Sequence, residues 1–197
     1  MKSLSILLLC FALIACASAQ DDDAQEDTPS GGNSNTYTLD LSIDGEAADF
    51  AIEGVEVTDS SFTSDAERVT VSFDGGSLDL NLADWDVFDY AHVLGVDFAP
   101  SGDTYSVSAT VRHNDQGWDN YADAFEVKGD NVENGLRVLA HPHDNEQPFT
   151  RSQSGVVAEG MVSVSAKDNV EGEGGSTVSL DLGVRDEVGL EWSLTRQ

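Results

Sequence analysis

Apolar and polar residues alternate along most of the chain after residue 36. Residues 37–43 read YTLDLSI, and residues 69–73, 78–82, 105–111, 162–166, 178–182 and 188–194 repeat the pattern. A period of two places alternate side chains on opposite faces of a β-strand. Nine or ten such half-buried strands, separated by Gly, Asp and Asn, predict an all-β fold. The simplest form is an antiparallel β-sandwich, immunoglobulin-like or fibronectin-like in outline.

Two short segments add detail to this prediction. Asp74-Gly75-Gly76 stands between two alternating runs, which predicts a hairpin turn. Residues 85–94 depart from the period of two, because Trp85, Phe88, Ala91 and Leu94 recur at helical spacing. They predict one short helix.

Composition divides the chain into four parts. Residues 1–19 are predicted to be an export signal, 20–36 a flexible acidic tether, 37–99 an N-terminal β region and 100–197 a C-terminal β-sandwich. The internal boundary falls at Pro100-Ser101-Gly102-Asp103. A β region of about 60 residues without disulfides is marginal alone. We therefore expect it to pack on the sandwich and to share its last strand.

The first nineteen residues read MKSLSILLLCFALIACASA, with one Lys, no acidic residue and an apolar run shorter than a membrane span. Two cleavage sites compete. Ala17-Ser18-Ala19 fits ordinary signal peptidase, whereas Leu13-Ile14-Ala15-Cys16 resembles the lipobox of bacterial lipoproteins, in which the Cys is lipidated. The leader predicts export to the cell envelope as an outer-membrane lipoprotein anchored through Cys16. A periplasmic or secreted protein is the alternative.

Cysteine content and charge exclude several functions. Both Cys, at positions 10 and 16, lie in the leader, so the mature chain is predicted to have no disulfide, catalytic thiol or Cys-based metal site. The chain has 37 Asp and Glu against 9 Lys and Arg, a formal net charge of −28. Such a chain lacks the cations that phosphate contacts require, which excludes a nucleic-acid partner.

Residues 112–154 differ in amino-acid composition from the rest of the chain. They hold three of the four His and four of the eight cations that follow the leader. We expect this segment to be the working end of the sandwich, contacting a protein or small ligand. The predicted binding loop comprises Trp118, Asp119, Tyr121, Asp123, Arg137 and Arg151.

A metal site is one interpretation of this segment. His141 and His143 flank a Pro and would lie on one side of an extended run, with Glu146 a turn later. Two imidazoles and a carboxylate suit zinc, copper or non-haem iron, and His113 could supply a further nitrogen. A structural network is the alternative, with His donating to backbone carbonyls and Arg151 pairing with Asp119, Asp123 or Glu126. Trp118 and Phe149 would then plug the end of the sandwich.

Enzymatic and calcium-binding motifs are weak. No Gly-x-Ser-x-Gly element is present, so a hydrolase is a distant alternative and no catalytic residue is predicted. Paired acids such as Asp84/Asp86 and Asp119/Asp123 could hold calcium, yet the calcium-loop pattern is missing. We therefore expect no cofactor, with zinc, copper or calcium as the alternatives.

Two strings carry a family resemblance. GWDNYADAFEV, from residue 117, and RVLAHPHDNEQPFTRSQSGV, from residue 137, resemble an uncharacterised family of small exported bacterial β-sandwich proteins. That family has G-W-D-x-Y-A-D and H-P-H-x-x-E-Q-P-F-T-R-S elements, and the match covers about residues 104–183. The resemblance implies architecture and export but no activity. This chain lacks the further His that the family has in place of Asn120 and near residues 167–174.

Together these patterns favour a non-enzymatic binding or structural module displayed at the cell envelope. The alternative is a metal-binding envelope protein that uses the His-Pro-His loop.

Overall fold

The computed structural model describes residues 36–52, 55–57, 61–64 and 67–197. Within these ranges the chain forms β-strands joined by turns and loops, and it contains no helix. The strands are β1 Tyr37–Ile43, β2 Glu46–Ala47, β3 Phe50–Ile52, β4 Val55–Val57, β5 Ser61–Ser64, β6 Arg68–Phe73, β7 Gly76–Asn81, β8 His92–Ser101, β9 Thr104–Arg112, β10 Ala122–Lys128, β11 Leu136–Val138, β12 Phe149–Val156, β13 Met161–Asp168, β14 Thr177–Asp181 and β15 Val188–Arg196.

These strands form two antiparallel sheets, as the alternation predicts. Sheet A has the order β12-β9-β8-β15-β1, and both β2 and β5 pair with β1 at its end. Sheet B has the order β11-β10-β13-β14-β7-β6-β3-β4. The all-β sandwich is confirmed.

The core lies between the sheets and is built from every second residue. In β15, for example, Val188, Leu190, Trp192 and Leu194 are buried, whereas the residues between them are more exposed. The indole Nε1–H of Trp192 donates to the Val93 carbonyl of β8 at 2.9 Å. Trp85 packs against Trp192 with ring centroids 5.2 Å apart. Burial of these large rings stabilises the sandwich, whose described residues include no Cys.

The predicted boundary at residues 100–103 is the turn of a hairpin. β8 and β9 pair across it from His92 opposite Arg112 to Ser101 opposite Thr104. Each sheet takes strands from both sides of this turn, and β15 pairs with both β1 and β8. Residues 34–197 form one compact unit. The predicted hairpin of β6 and β7 is confirmed, with Gly75 at φ +81° in its turn.

The predicted helix over residues 85–94 is wrong. A single turn forms, in which the Phe88 N–H donates to the Asp84 carbonyl at 2.9 Å. The Asp84 carboxylate then accepts from the N–H groups of Asp89 and Tyr90, and Phe88 has a φ of +53°. Side-chain bonds of this kind compete with helical bonds and end the helix after one turn.

The leader, Cys16 and most of the predicted tether lie outside the described residues. In the described part, no helix is long and apolar enough to cross a membrane.

Candidate functional site

One end of the sandwich gathers the residues that the sequence singles out. There β9 ends at Arg112, β10 begins at Ala122 and β12 begins at Phe149. The connecting loops run over residues 113–121 and 139–148. We call this region the loop end.

His113 and Asp115 form a buried ion pair at the loop end. His113 Nδ1 lies 2.7 Å from Asp115 Oδ1, and both side chains are fully buried. His113 Nε2 lies 3.0 Å from the carbonyl oxygen of Asp89, which can only accept. Because both ring nitrogens face acceptors, both must carry protons. His113 is therefore an imidazolium.

Electrostatics agrees with this assignment. Burial alone lowers the pKa of His113, but the bonds to Asp115 and the Asp89 carbonyl outweigh burial and raise it above the ordinary value. Burial likewise raises the pKa of Asp115, whereas hydrogen bonds from His113, His143 and Ala122 lower it overall. The shifts of both pKa values therefore favour the charged forms of the two groups.

Asp115 connects three segments of the chain. Its Oδ1 accepts from the Ala122 N–H at 3.2 Å, where β10 begins. Its Oδ2 accepts from the His143 N–H at 2.5 Å, in the middle of the His-Pro-His loop. A single buried carboxylate therefore fixes both loops relative to the sandwich, and removing it would free them together.

His143 is buried but only partly satisfied. Its ring stacks on Phe149 with centroids 3.7 Å apart and planes 12° from parallel. Its Nδ1 has no hydrogen-bond partner in the protein and lies 3.8 Å from Asp115 Oδ2. Burial, and then the positive charge of Arg151, lower the pKa of His143. The surroundings of His143 therefore favour its neutral form, whereas those of His113 favour the cation.

The predicted metal ligands are held in other contacts. His113 uses both nitrogens, as described above, and Glu146 binds Arg151 through both oxygens, at 2.8 and 3.3 Å. His141 is exposed, with its ring 4.7 Å from that of His143. In the part of the chain that the structure describes, no three His, Asp or Glu side chains are grouped to hold a metal ion. Metal binding therefore stays a prediction.

Arg151 has a different partner from the three that the structural interpretation offers. It pairs with Glu146, five residues earlier, and not with Asp119, Asp123 or Glu126. The Arg151 guanidinium lowers the pKa of Glu146 through a hydrogen bond. This ion pair connects the segment after His143 to the first residues of β12. The expected carbonyl bond of a histidine is present, from His113 to Asp89.

Trp118 does not plug the sandwich, whereas Phe149 is buried beneath His143. Trp118 is 67% exposed. Its ring touches only one aromatic neighbour, Tyr121, edge to face at 5.7 Å. The turn that carries it is nevertheless well fixed. Gly117 has a φ of +69°, which favours glycine, and its N–H donates to Asp144 Oδ1 at 2.8 Å.

The other predicted binding-loop residues lie around this turn and along sheet B. The Tyr121 N–H donates to Asn169 Oδ1 at 2.8 Å, and Asn169 Nδ2 reaches the Asp119 carbonyl at 3.4 Å. Asp123 Oδ1 lies 3.9 Å from Lys167 Nζ without a hydrogen bond. Arg137 on β11 stands opposite Phe125 on β10, and Arg137 Nε is buried without a hydrogen-bond partner.

Sequence reasoning missed a second buried histidine pair. His92 Nε2 lies 2.7 Å from Asp84 Oδ2, and His92 Nδ1 lies 3.1 Å from Ser176 Oγ. The Ser176 N–H also donates to Nδ1 at 3.1 Å, so the proton of a neutral ring sits on Nε2. The order Ser–His–Asp resembles a hydrolase triad, but His92 and Ser176 are fully buried. No sequence signal marks it, because Ser176 lies 84 residues after His92.

Comparison with known proteins gives one relative. No family model matches the chain, and no solved structure matches it. A protein of Halomicrobium mukohataei named "Putative lipoprotein" is 37% identical over 97 residues. The match covers 46% of this chain and 47% of that protein, so this chain spans about half the length of the curated relative it matches.

Proposed function

We propose that this protein is an exported lipoprotein, anchored through Cys16, whose β-sandwich is a non-enzymatic binding module. Two independent features support the anchor: the Leu-Ile-Ala-Cys sequence ending at Cys16, and the name of the Halomicrobium mukohataei relative. The resemblance of residues 117–127 and 137–156 to exported β-sandwich proteins also supports export. The outer membrane is the expected bilayer where the source cell has one.

The mature N-terminus tests the anchor. Mass spectrometry of protein from the membrane fraction should find a lipid-modified Cys16 as the first residue. The Cys16→Ser variant should leave the membrane fraction, whereas Cys10→Ser, the matched control within the leader, should change nothing. An unmodified chain that begins at Gln20 would contradict the lipid anchor and leave export in place.

Trp118 is the observation that supports a binding module. A mostly exposed indole costs hydration free energy, and a structural role would bury it, as the sandwich buries Trp85 and Trp192. Here the chain fixes the Trp118 turn through Gly117 and Asp144 and still presents the ring to solvent. Rigid, exposed aromatic side chains are common anchors of binding surfaces.

Binding to isolated cell envelopes tests the module. Exported Cys16→Ser protein, which lacks the proposed anchor, should sediment with envelopes. The added change Trp118→Ala should weaken this binding by about tenfold or more, because the anchor ring is lost. Val184 is another exposed apolar side chain, so Val184→Ala is the matched control and should bind normally. Equal binding of the two variants would contradict the proposal.

Metal binding is the second candidate, and one observation favours it: His143 Nδ1 is buried without a hydrogen-bond partner beside the His141 ring. Elemental analysis of untagged protein is the test. About one zinc or copper per chain, lost in His143→Phe, would establish this alternative. A protein without stoichiometric metal would remove it.

A further inference from the structure

The Trp118 turn is joined to a polar hollow. The hollow has a volume of about 390 Å³, within the range of small-molecule sites. Its lining combines charged and amide side chains: Arg112, His113, Asn114, Asp115, Asp144, Asn145 and Gln147. Asp144 belongs to both features, because it lines the hollow and its Oδ1 accepts from the Gly117 N–H. The exposed indole and the hollow therefore belong to one surface.

This surface has one apolar side chain among many hydrogen-bonding ones. Residues 114–120 and 144–147 consist of Asp, Asn, Gln, Glu and Gly, with Trp118 as the exception. The core of a protein–protein interface needs several adjoining apolar side chains, and these two loop segments do not supply them. An exposed indole that packs edge to face on Tyr121 and is otherwise surrounded by carboxylates and amides suits a ligand that has both a C–H face and many hydroxyls.

Charge narrows the ligand class further. Residues 37–197 hold 32 acidic and 8 basic residues, a net charge of −24. Arg151 pairs with Glu146, and Arg112 lies 4.5 Å over the Phe88 ring while donating to the His113 carbonyl. In the lining of the hollow the two cationic side chains, Arg112 and His113, are matched by two carboxylates, Asp115 and Asp144. Because the hollow has no surplus of positive charge and the rest of residues 37–197 is strongly acidic, anionic lipids and acidic polymers are disfavoured as ligands.

We propose that the Trp118 surface binds a saccharide chain without acidic groups. One sugar ring stacks its C–H face on the Trp118 indole, and its hydroxyls exchange hydrogen bonds with the amides and carboxylates of the hollow, Asp144 and Asn145 among them. This inference rests on the proposed binding function and names the ligand class of that site.

The chain carries its own reporter for this inference. Its three Trp are Trp85, Trp118 and Trp192, and the two others are only 9% and 5% exposed. Acrylamide quenching of Trp fluorescence therefore reports mainly on Trp118. The Trp118→Phe variant keeps a ring for stacking and gives the quenching baseline of the two buried indoles.

The probe is the protease-treated polysaccharide fraction of the source cell's envelope, added to exported Cys16→Ser protein. Quenching should fall toward the Trp118→Phe baseline with intact polysaccharide. It should stay at the ligand-free level after periodate has cleaved the vicinal diols of the sugars. Alginate, an acidic polysaccharide, should give no protection. Sedimentation with the same polysaccharide should be weakened about tenfold or more by Trp118→Ala and unchanged by Val184→Ala.

The outcomes separate this inference from the proposed function. Envelope binding that depends on Trp118 but survives periodate and is lost on protease treatment would indicate a protein ligand. That result overturns the saccharide and keeps the binding module. Protection by alginate alone would overturn the non-acidic class. No dependence of any envelope binding on Trp118 would overturn both proposals.

Discussion

The sandwich contains two buried histidine–aspartate pairs that differ in their third partner. His92 faces Asp84 on one side and the N–H donor of Ser176 on the other. His113 faces Asp115 on one side and the carbonyl acceptor of Asp89 on the other. The first ring is therefore neutral and the second is cationic. The backbone group that faces the second ring nitrogen, the N–H of Ser176 or the carbonyl of Asp89, therefore sets the charge of the histidine.

The difference matches what each pair holds together. The His92–Asp84 pair joins β8 to Ser176, the residue before β14. Both nitrogens of the His92 ring have hydrogen-bond partners there. The His113 pair lies beneath the loops that present Trp118, and several buried polar atoms nearby, such as His143 Nδ1 and Gln147 Nε2, lack partners in the protein. The pairs meet at Asp89, whose N–H bonds Asp84 and whose carbonyl accepts from His113. The His92–Asp84 pair thus holds Asp89 in place, and Asp89 in turn bonds His113 beneath the candidate binding surface.

The largest predicted effect is a difference in the free energy of unfolding between variants of the two carboxylates, Asp115 and Asp84. Asp115→Asn leaves a buried imidazolium without its counter-charge and should cost about 3–5 kcal/mol in the free energy of unfolding. Asp84→Asn replaces one of the two acceptor oxygens that serve the His92 ring and the turn, and should cost about 1–3 kcal/mol. Urea unfolding of both variants at pH 7 measures the difference. Equal costs, or a larger cost at Asp84, would show that His113 is not charged.

The pH dependence of stability should follow His113. Its folded-state pKa is raised above 6.5, so its stabilisation is complete below pH 6.5 and is lost as the pH rises through the raised value. Asp115 has the opposite sign, because its pKa is lowered below 3.8. Its contribution is complete above that pH and is lost as the pH falls through the lowered value.

His113→Gln isolates the alkaline limb of this profile. The unfolding free energy of the wild type should decline above pH 6.5 by up to about 1.4 kcal/mol for each unit by which the pKa is raised. The variant should lack this decline. Parallel profiles of the two proteins over this range would refute a charged His113.

The smallest predicted effect compares two histidine-to-phenylalanine changes. H143F removes an unpartnered buried nitrogen and keeps the ring stacked on Phe149, so its stability should stay within about 1 kcal/mol of wild type. H92F leaves the Ser176 N–H and an Asp84 oxygen without their histidine partner and should cost about 1–3 kcal/mol. Thermal unfolding measures both. A large loss in H143F would mean that His143 bonds a group beyond those described.

Much of the fold follows from local pattern. The period of two gives the strands, and Gly75 gives the β6–β7 turn, because both signals lie within a few neighbouring residues. The helix over residues 85–94 was mispredicted from spacing that Trp85 and Phe88 do share. The deciding interaction, the Asp84 carboxylate bonding the Asp89 and Tyr90 N–H groups, does not show in that spacing.

The candidate site was only partly predictable for the same reason. Residues 112–154 stand out by composition, and two of their loops, residues 113–121 and 139–148, form the loop end. However, Asp115 was missed, because its importance comes from Ala122 and His143, which the fold brings to it. Arg151 pairs with Glu146, five residues earlier, but its charge alone does not distinguish Glu146 from Asp119, Asp123 or Glu126. The exposure of Trp118 is likewise not visible in the neighbouring residues.

Nitrogen-15 NMR of the imidazole rings tests the central claim most directly. At pH 7 the account predicts that both His113 nitrogens carry protons and that neither titrates near pH 6.5. His92 should show one protonated nitrogen, Nε2, and one acceptor, Nδ1. A neutral, singly protonated His113 at pH 7 would contradict the account, because the two pairs would then be alike.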